Sequence, residues 1–378
     1  MGRSMVLLDE GILYRNSNPG LRAECAFQPN LLPLSDTELL CFFRIGSAFY
    51  SPDGKLAVLR STDGGRTWQA QDRGVRDPED DARPYNYTSP HAARLSDGGL
   101  VLTASRWPCL DDRDWRVFNP ETGGIRDGET VLFHSADSGR SWSEPGVLNL
   151  PGIGFTDTSS QIIELNDGRW FLGCELWKRW DDTPPLHIRG FAVFSDDDGR
   201  TWTDRLDFPT ASEEERMYSH SRYTRMLDGR IAVLQWTQRV GTAEDFDLHF
   251  TVSDESGTQW SKPNPTGIMG QTSWLADLGD GVLVAACTLR EGMRPGIFVF
   301  LSEDEGRTWD LESPVVVWDA VGQEYLGVVH KPTYPASHDN IAFGKPNTTR
   351  LPDGKILCSW WCTQACVTHS RFALLELR

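Results

Sequence analysis

Six times along the chain, an apolar position leads into an Asp- or Gly-rich turn that opens a second run of strand-forming residues. The copies are LSDTELL (Leu34–Leu40), LSDGGLVL (Leu95–Leu102), LNDGRWFL (Leu165–Leu172), LDGRIAVL (Leu227–Leu234), LGDGVLVA (Leu278–Ala285) and LPDGKILC (Leu351–Cys358). Two residues before each turn Asp stands Leu34, Leu95, Leu165, Met226, Leu278 or Leu351, a uniformly apolar layer. A turn between two β-prone runs predicts a hairpin in every unit. Helical periodicity is weak throughout, and the acidic stretch Ala211–Met217 reads as a loop or a single turn.

A second repeat follows each of the first five hairpins. STDGGRTW (Ser61–Trp68), SADSGRSW (Ser135–Trp142), SDDDGRTW (Ser195–Trp202), SDESGTQW (Ser253–Trp260) and SEDEGRTW (Ser302–Trp309) are read on a Ser-x-Asp-x-Gly-x-(Thr/Ser/Gln)-Trp template, with Glu255 in the Asp place of the fourth. Asp accepts hydrogen bonds from nearby amides, Gly supplies a left-handed residue, and Trp tucks under the turn. Recurrence at this period marks one supersecondary unit used repeatedly. The octets resemble the Asp-box (BNR) repeat of the sialidase superfamily, which implies an all-β, six-bladed propeller of four-stranded antiparallel blades. Ser370–Leu377 reads as the third strand of the last unit, and Val6–Tyr14 as a spare N-terminal strand that closes the ring and removes its edges. No linker or low-complexity tract interrupts the pattern, so residues 1–378 read as a single propeller domain.

A net charge of −17 argues against nucleic acid and anionic membrane surfaces as partners. No apolar run is long enough for a transmembrane helix. MGRSMVLLDEG lacks the basic start and apolar core of a secretory signal, so the expectation is cytoplasmic, or secreted if a signal has been removed. Of eight cysteines, Cys41, Cys174, Cys287 and Cys358 fall in second strands as small buried hydrophobes. Cys358, Cys362 and Cys366 have metal-like spacing, but on a strand four residues spread over about 13 Å. There is no P-loop, dinucleotide fingerprint or Cys/His metal box, and no cofactor is expected.

The turns supply a register for the channel-lining first strands. Six residues before the turn Asp come Asn30, His91, Gln161, Arg222, Trp274 and Asn347, and eight before come Gln28, Ser89, Ser159, His220, Thr272 and Lys345. Strand alternation places both columns on one face, where they form a polar floor about the axis. Eight residues past the turn stand Arg44, Ser105, Glu175, Trp236, Thr288 and Trp361, with Arg106 and Arg290 close by. Clustered Arg and Lys in so acidic a chain would focus an anionic ligand and grip a carboxylate bidentately.

Position by position, the sialidase resemblance weakens. The family uses three arginines for the substrate carboxylate, a Tyr nucleophile polarised by Glu, and an Asp acid/base. Phe27-Gln28-Pro29 stands where the first arginine is expected, His220 where the Glu is expected, and Lys345 where the Tyr is expected. Arg294, ahead of its Asp box, matches the third arginine, and Asp53 occupies the loop of the acid/base Asp.

Three functions fit these residues. A glycosidase acting on an acidic sugar needs two carboxyl groups, from Asp53, Asp157, Glu175 or the acidic loops Asp77–Asp81 and Asp111–Asp114. A lyase eliminating beside a uronate would use His91 and His220 with Arg222, Lys345 and Tyr218 or Tyr87. A glycan-binding propeller without catalysis would stack sugars on Trp107, Trp177, Trp236, Trp274 or Trp361. The hydrolase acting on an acidic carbohydrate is the leading expectation, with Gln28, Arg44, Arg106, Gln161, Arg222, Trp274, Arg290, Arg294, Lys345 and Asn347 as binding residues.

Overall fold

The structure is a computed structural model. It describes residues 3–378 except 77–84, 110–115, 151–152, 154, 159, 209–215, 243, 291–293, 322 and 324–340. The acidic loops at 77–81 and 111–114, Ser159 and most of the 211–217 stretch lie outside the described residues.

Strand β1 (Met5–Tyr14) precedes six antiparallel blades. Blade one is β2 (Cys25–Pro33), β3 (Leu39–Gly46), β4 (Lys55–Ser61) and β5 (Gln69–Ala70), and blade two is β6 (Tyr85–Arg94), β7 (Leu100–Pro108), β8 (Glu129–Ser135) and β9 (Gly146–Val147). In blade three the inner strand is split into β10 (Thr156–Asp157) and β11 (Ile163–Glu164), which both pair with β12 (Trp170–Leu176), followed by β13 (Arg189–Ser195) and β14 (Thr203–Asp207). Blade four is β15 (Arg216–Arg225), β16 (Ile231–Arg239), β17 (His249–Val252) and β18 (Asn264–Pro265). Blade five is β19 (Ser273–Gly279), β20 (Val282–Leu289), β21 (Gly296–Ser302) and β22 (Val315–Asp319). Blade six takes β23 (Phe343–Arg350), β24 (Ile356–Gln364) and β25 (Val367–Leu377) from the C-terminus and β1 as its outer strand, with Met5 opposite Leu377. The N-terminal strand therefore closes the ring, as its sequence predicts.

The core lies between blades. Phe42, Leu56 and Val58 of blade one meet Tyr87, Leu102 and Val131 of blade two, and Val284 and Val299 of blade five meet Cys358 and Trp360 of blade six. Burial of such facing sheets is the main favourable term holding the ring together. Cys41, Cys174, Cys287 and Cys358 are buried, and all eight cysteines are free thiols.

The Asp boxes explain themselves locally. In the second, Asp137 Oδ1 accepts from the amides of Arg140 (3.0 Å) and Ser141 (2.8 Å), Oδ2 accepts from Ser141 Oγ (2.6 Å), and Gly139 N donates to Ser135 Oγ (2.9 Å). The fourth box departs from the template because its third residue is Glu255. Asp254, one place earlier, takes over and accepts from the amides of Thr258 (3.0 Å) and Gln259 (3.1 Å). Trp260 Nε1 still donates to Gly257 O at 2.9 Å.

One expectation fails in the inner strands. Gln28, Ser89, His220 and Lys345 have φ of 57°, 53°, 48° and 47°, each at a break in register with the second strand. A β-bulge with a left-handed residue interrupts the alternation, so the two columns do not share one continuous face. The bulge turns the eight-before residues towards one end of the channel and leaves the six-before residues below.

Candidate active site

The channel has two mouths. On the side of the strand-one-to-strand-two turns it opens into a cavity of about 740 Å³ lined by Asn30, Gln161, Trp274 and Asn347. At the other end a small pocket of about 40 Å³ is lined by Gln28, Ser89, Asp157, His220 and Lys345, with Phe49, Tyr50, Phe118 and Trp177 above them. The partition between the two is a stack of side chains. Arg222 Nη1 donates to His91 Nε2 (2.9 Å), and the guanidinium lies 5.2 Å from the Trp274 ring centroid. Desolvation, followed by the charge of Arg222, pushes the His91 pKa well below its ordinary value and keeps the ring neutral.

Three of the six-before residues stitch blades together. Asn30 Oδ1 accepts from Ala92 N (2.9 Å) in blade two, and Asn347 Oδ1 accepts from Leu31 N (2.9 Å) in blade one. Gln161 Nε2 donates to Tyr223 O across the blade three–four junction. Gln28 is used in the same way, its Oε1 accepting from Ser89 N and Thr88 Oγ1, both at 2.8 Å.

The acids and cations that meet at the closed mouth come from blades three, four and six. Asp157 and Glu175 are direct cross-strand partners on β10 and β12. Asp157 reaches the pocket and accepts from Ser105 Oγ at 2.7 Å. Glu175 is fully buried; its Oε1 accepts from Ser221 N (2.7 Å) and its Oε2 has no hydrogen-bond partner. Burial raises the Glu175 carboxyl to about 7, Asp157 adds to the rise, and the Ser221 amide and Arg222 oppose it. Lys345 Nζ donates to Ser89 Oγ (3.2 Å), and burial together with Arg222 lowers its ammonium to about 7 against the pull of Asp157 and Glu175. Arg222 itself is lowered to about 10 by burial.

Other predicted residues lie elsewhere or are already engaged. Arg44 braces the loop above it, donating to Ala48 O (2.6 Å), Ser51 O (3.0 Å) and Asn86 Oδ1 (3.1 Å). Gly54 closes that brace, since a Cβ there would sit 2.1 Å from Asn86 Oδ1. Asp53, on the exposed rim, accepts from Ser47 N at 3.0 Å. Desolvation raises its pKa, but bonds from Ser51 and Ser47 and the charge of Arg44 outweigh this and leave it lowered, which makes Asp53 a poor proton donor. Arg106 pairs with Glu129 (2.7 Å) and Tyr87 Oη (3.2 Å), and Arg294 pairs at the surface with Asp319 (2.8 Å).

Arg290 bonds to Gln271 Oε1 and Phe343 O, and so holds the strand that carries Lys345. Behind it stands Asp245, a residue the column arithmetic misses because it lies outside the repeated hairpins. Asp245 accepts from Trp236 Nε1 (2.9 Å), Gln238 Nε2 (2.9 Å) and Gln271 Nε2 (2.8 Å). The only sequence sign of it is the need of buried Trp236 and Gln238 for an acceptor. The tyrosines of the lyase set are likewise engaged, Tyr218 Oη with His249 Nδ1 (3.1 Å) and Tyr87 with Arg106. His220 stacks on Trp236 with ring centroids 5.6 Å apart. Trp107, Trp177, Trp236, Trp274 and Trp361 are all buried rather than presented as open stacking faces. Among the described residues no group of three or more His, Cys, Asp or Glu could hold a metal ion.

The six blades and their boxes define an Asp-box β-propeller. The BNR/Asp-box repeat model matches residues 59–70. A sialidase from Clostridium perfringens is 22% identical over 270 residues, covering 67% of this chain and 65% of that protein, so the match spans about two thirds of the relative's length. Among solved structures, a protein of unknown function from Dyadobacter fermentans superposes with a TM-score of 0.74 at 17% identity, over 99% of this chain and 100% of that one. The NanB sialidase of Streptococcus pneumoniae superposes with a TM-score of 0.63 at 14% identity, over 97% and 70%. In repeat, relative and fold the chain is similar to proteins of the sialidase superfamily.

Proposed function

We propose that the protein is a glycoside hydrolase acting on an acidic sugar at the closed mouth of the channel. The observation that carries this reading is the meeting of the Asp157–Glu175 pair with Lys345 and Arg222 around one axial point. Directly opposed residues on antiparallel strands have Cβ atoms about 4.5–5.5 Å apart. The two carboxyl groups are therefore neighbours. Two neighbouring carboxyls do not both ionise cheaply, and the drier Glu175 is the member that holds a proton near neutrality. Asp157, at the pocket surface, is the group that meets substrate, and Glu175 acts through it. Lys345 holds the sugar's carboxylate, and Arg222 beneath supplies further positive field.

Product analysis on sialosides, glucuronides and uronate oligosaccharides tests the reading. Release of reducing sugar, lost in Asp157→Asn, is expected. An unsaturated uronate absorbing in the ultraviolet would replace it with the lyase, and saturable binding without turnover would replace it with a glycan-binding role.

A further inference from the structure

We infer that the large cavity at the turn-side mouth is a second ligand site, which takes a short hydroxylated dicarboxylate. The inference is independent of the acidic-sugar reading, because the stack of His91, Arg222 and Trp274 divides this cavity from the closed mouth.

The cavity is layered along its depth. Its floor belongs to the six-before row. Asn30 and Asn347 are only 2% and 3% exposed, and each spends its Oδ1 on a neighbouring blade. The Nδ2 donors of both have no partner among the described residues. Across the channel in blade three, Gln161 Oε1 is buried without a hydrogen bond. Leaving such groups unpaired costs stability. A ligand that accepts from the two asparagines and donates a hydroxyl to Gln161 would satisfy them. Two residues further along their strands, Leu32, Ala93, Ile163 and Ala276 form an apolar collar.

The rim sets the charge. Three residues before each turn Asp stand Pro33, Arg94, Glu164, Arg225, Asp277 and Arg350. Four of these reach back to the turn of the preceding blade. Arg94 donates to Leu34 O (2.6 Å), and Glu164 accepts from Ser96 N (2.6 Å). Arg225 donates to Asn166 Oδ1, and Asp277 accepts from Leu227 N (2.8 Å). Arg350 breaks the series: its exposed guanidinium has no hydrogen-bond or ion-pair partner among the described residues. Both rim carboxylates are thus satisfied by amides, and the group left free is a cation on the strand that carries Asn347. A carboxylate on Arg350, methylenes on the collar and a second carboxylate on the asparagines match the layers in order. Asn347 and Arg350 stand about 10 Å apart along the strand, a gap that their side chains, reaching into the cavity, reduce to the length of a four-carbon diacid.

Titration calorimetry with malate, succinate and butanetriol tests the site. Malate is expected to bind, succinate more weakly for want of the hydroxyl, and the uncharged triol not at all. Arg350→Gln should weaken malate about tenfold. Asn347→Asp keeps the acceptor for Leu31 N, replaces the free donor with an oxygen, and should abolish binding. No malate binding by the wild type, or triol binding equal to malate, overturns the site. Malate affinity untouched by Arg350→Gln overturns it as well, and its loss in Lys345→Met would then show the closed mouth as the place of binding. Binding that survives Asn347→Asp removes the amide floor and with it the second carboxylate. Succinate binding as tight as that of malate overturns the hydroxyl and the part given to Gln161.

Discussion

On the Asp-box face, Asp63, Asp137 and Asp304 each sit at a surface turn and accept from the chain that follows them. At the closed mouth of the channel the situation is reversed. Glu175 Oε2 and Arg222 Nε are buried without hydrogen-bond partners, and two groups of opposite sign, Glu175 and Lys345, are both driven to about 7. Buried unpaired polar groups cost stability, so a fold retains them where they serve something besides folding. One face repeats a solved local problem, and the other gathers different residues from several blades.

The largest expected effect lies on the mouth. Asp157→Asn should reduce turnover of the acidic glycoside by about 10²–10⁴-fold, the usual worth of a positioned acid or base, with an unchanged thermal unfolding curve. A variant retaining more than a tenth of wild-type kcat would remove Asp157 from the chemistry.

Arg222→Ala comes next. It empties the space between His91 and Trp274 and removes a cation that acts on Glu175, so a loss of about 3 kcal/mol in urea unfolding is expected. A loss below about 1 kcal/mol would mean that the partition is not a structural element.

Set beside it, Asp137→Ala removes bonds from Arg140 N, Ser141 N and Ser141 Oγ, but at an exposed turn where water replaces part of them. About 1 kcal/mol of stability should go, with kcat and KM unchanged. A change in kinetics would break the separation of the two faces.

The same contrast decides what the chain discloses. A hairpin turn and an Asp box are local devices, readable from a few adjacent residues, and they yield six blades, their register and the closing role of Val6–Tyr14. The left-handed bulges were not legible, because nothing in the types Gln28, Ser89, His220 and Lys345 signals positive φ. Nor does residue type reveal who is already engaged. Arg44 and Arg106 look like anion ligands in the sequence, yet in space one braces a loop and the other is held by Glu129 and Tyr87. Asp157, Glu175, Arg222 and Lys345 come together because the repeated inner and second strands bring them to one end of the channel. Asp245 escaped because its partners come from two blades and an unrepeated loop.

A last effect separates the mouth's proton from the rest of the molecule. Glu175 has a folded pKa of about 7 against an ordinary 4.5, so the folded state binds the proton more strongly than the unfolded chain does. Its contribution to stability is complete below about 4.5 and is lost as pH rises through 7. Lys345 works in the opposite sense in a different window: lowered from 10.5 to about 7, it lets stability recover as pH rises from 7 towards 10.5. Glu175→Gln keeps an acceptor for Ser221 N and removes only the titration. Urea midpoints at pH 5, 6, 7 and 8 should therefore show the variant gaining on the wild type between pH 5 and 7 and running parallel to it above. Parallel curves over the whole range would mean that Glu175 is not the proton holder.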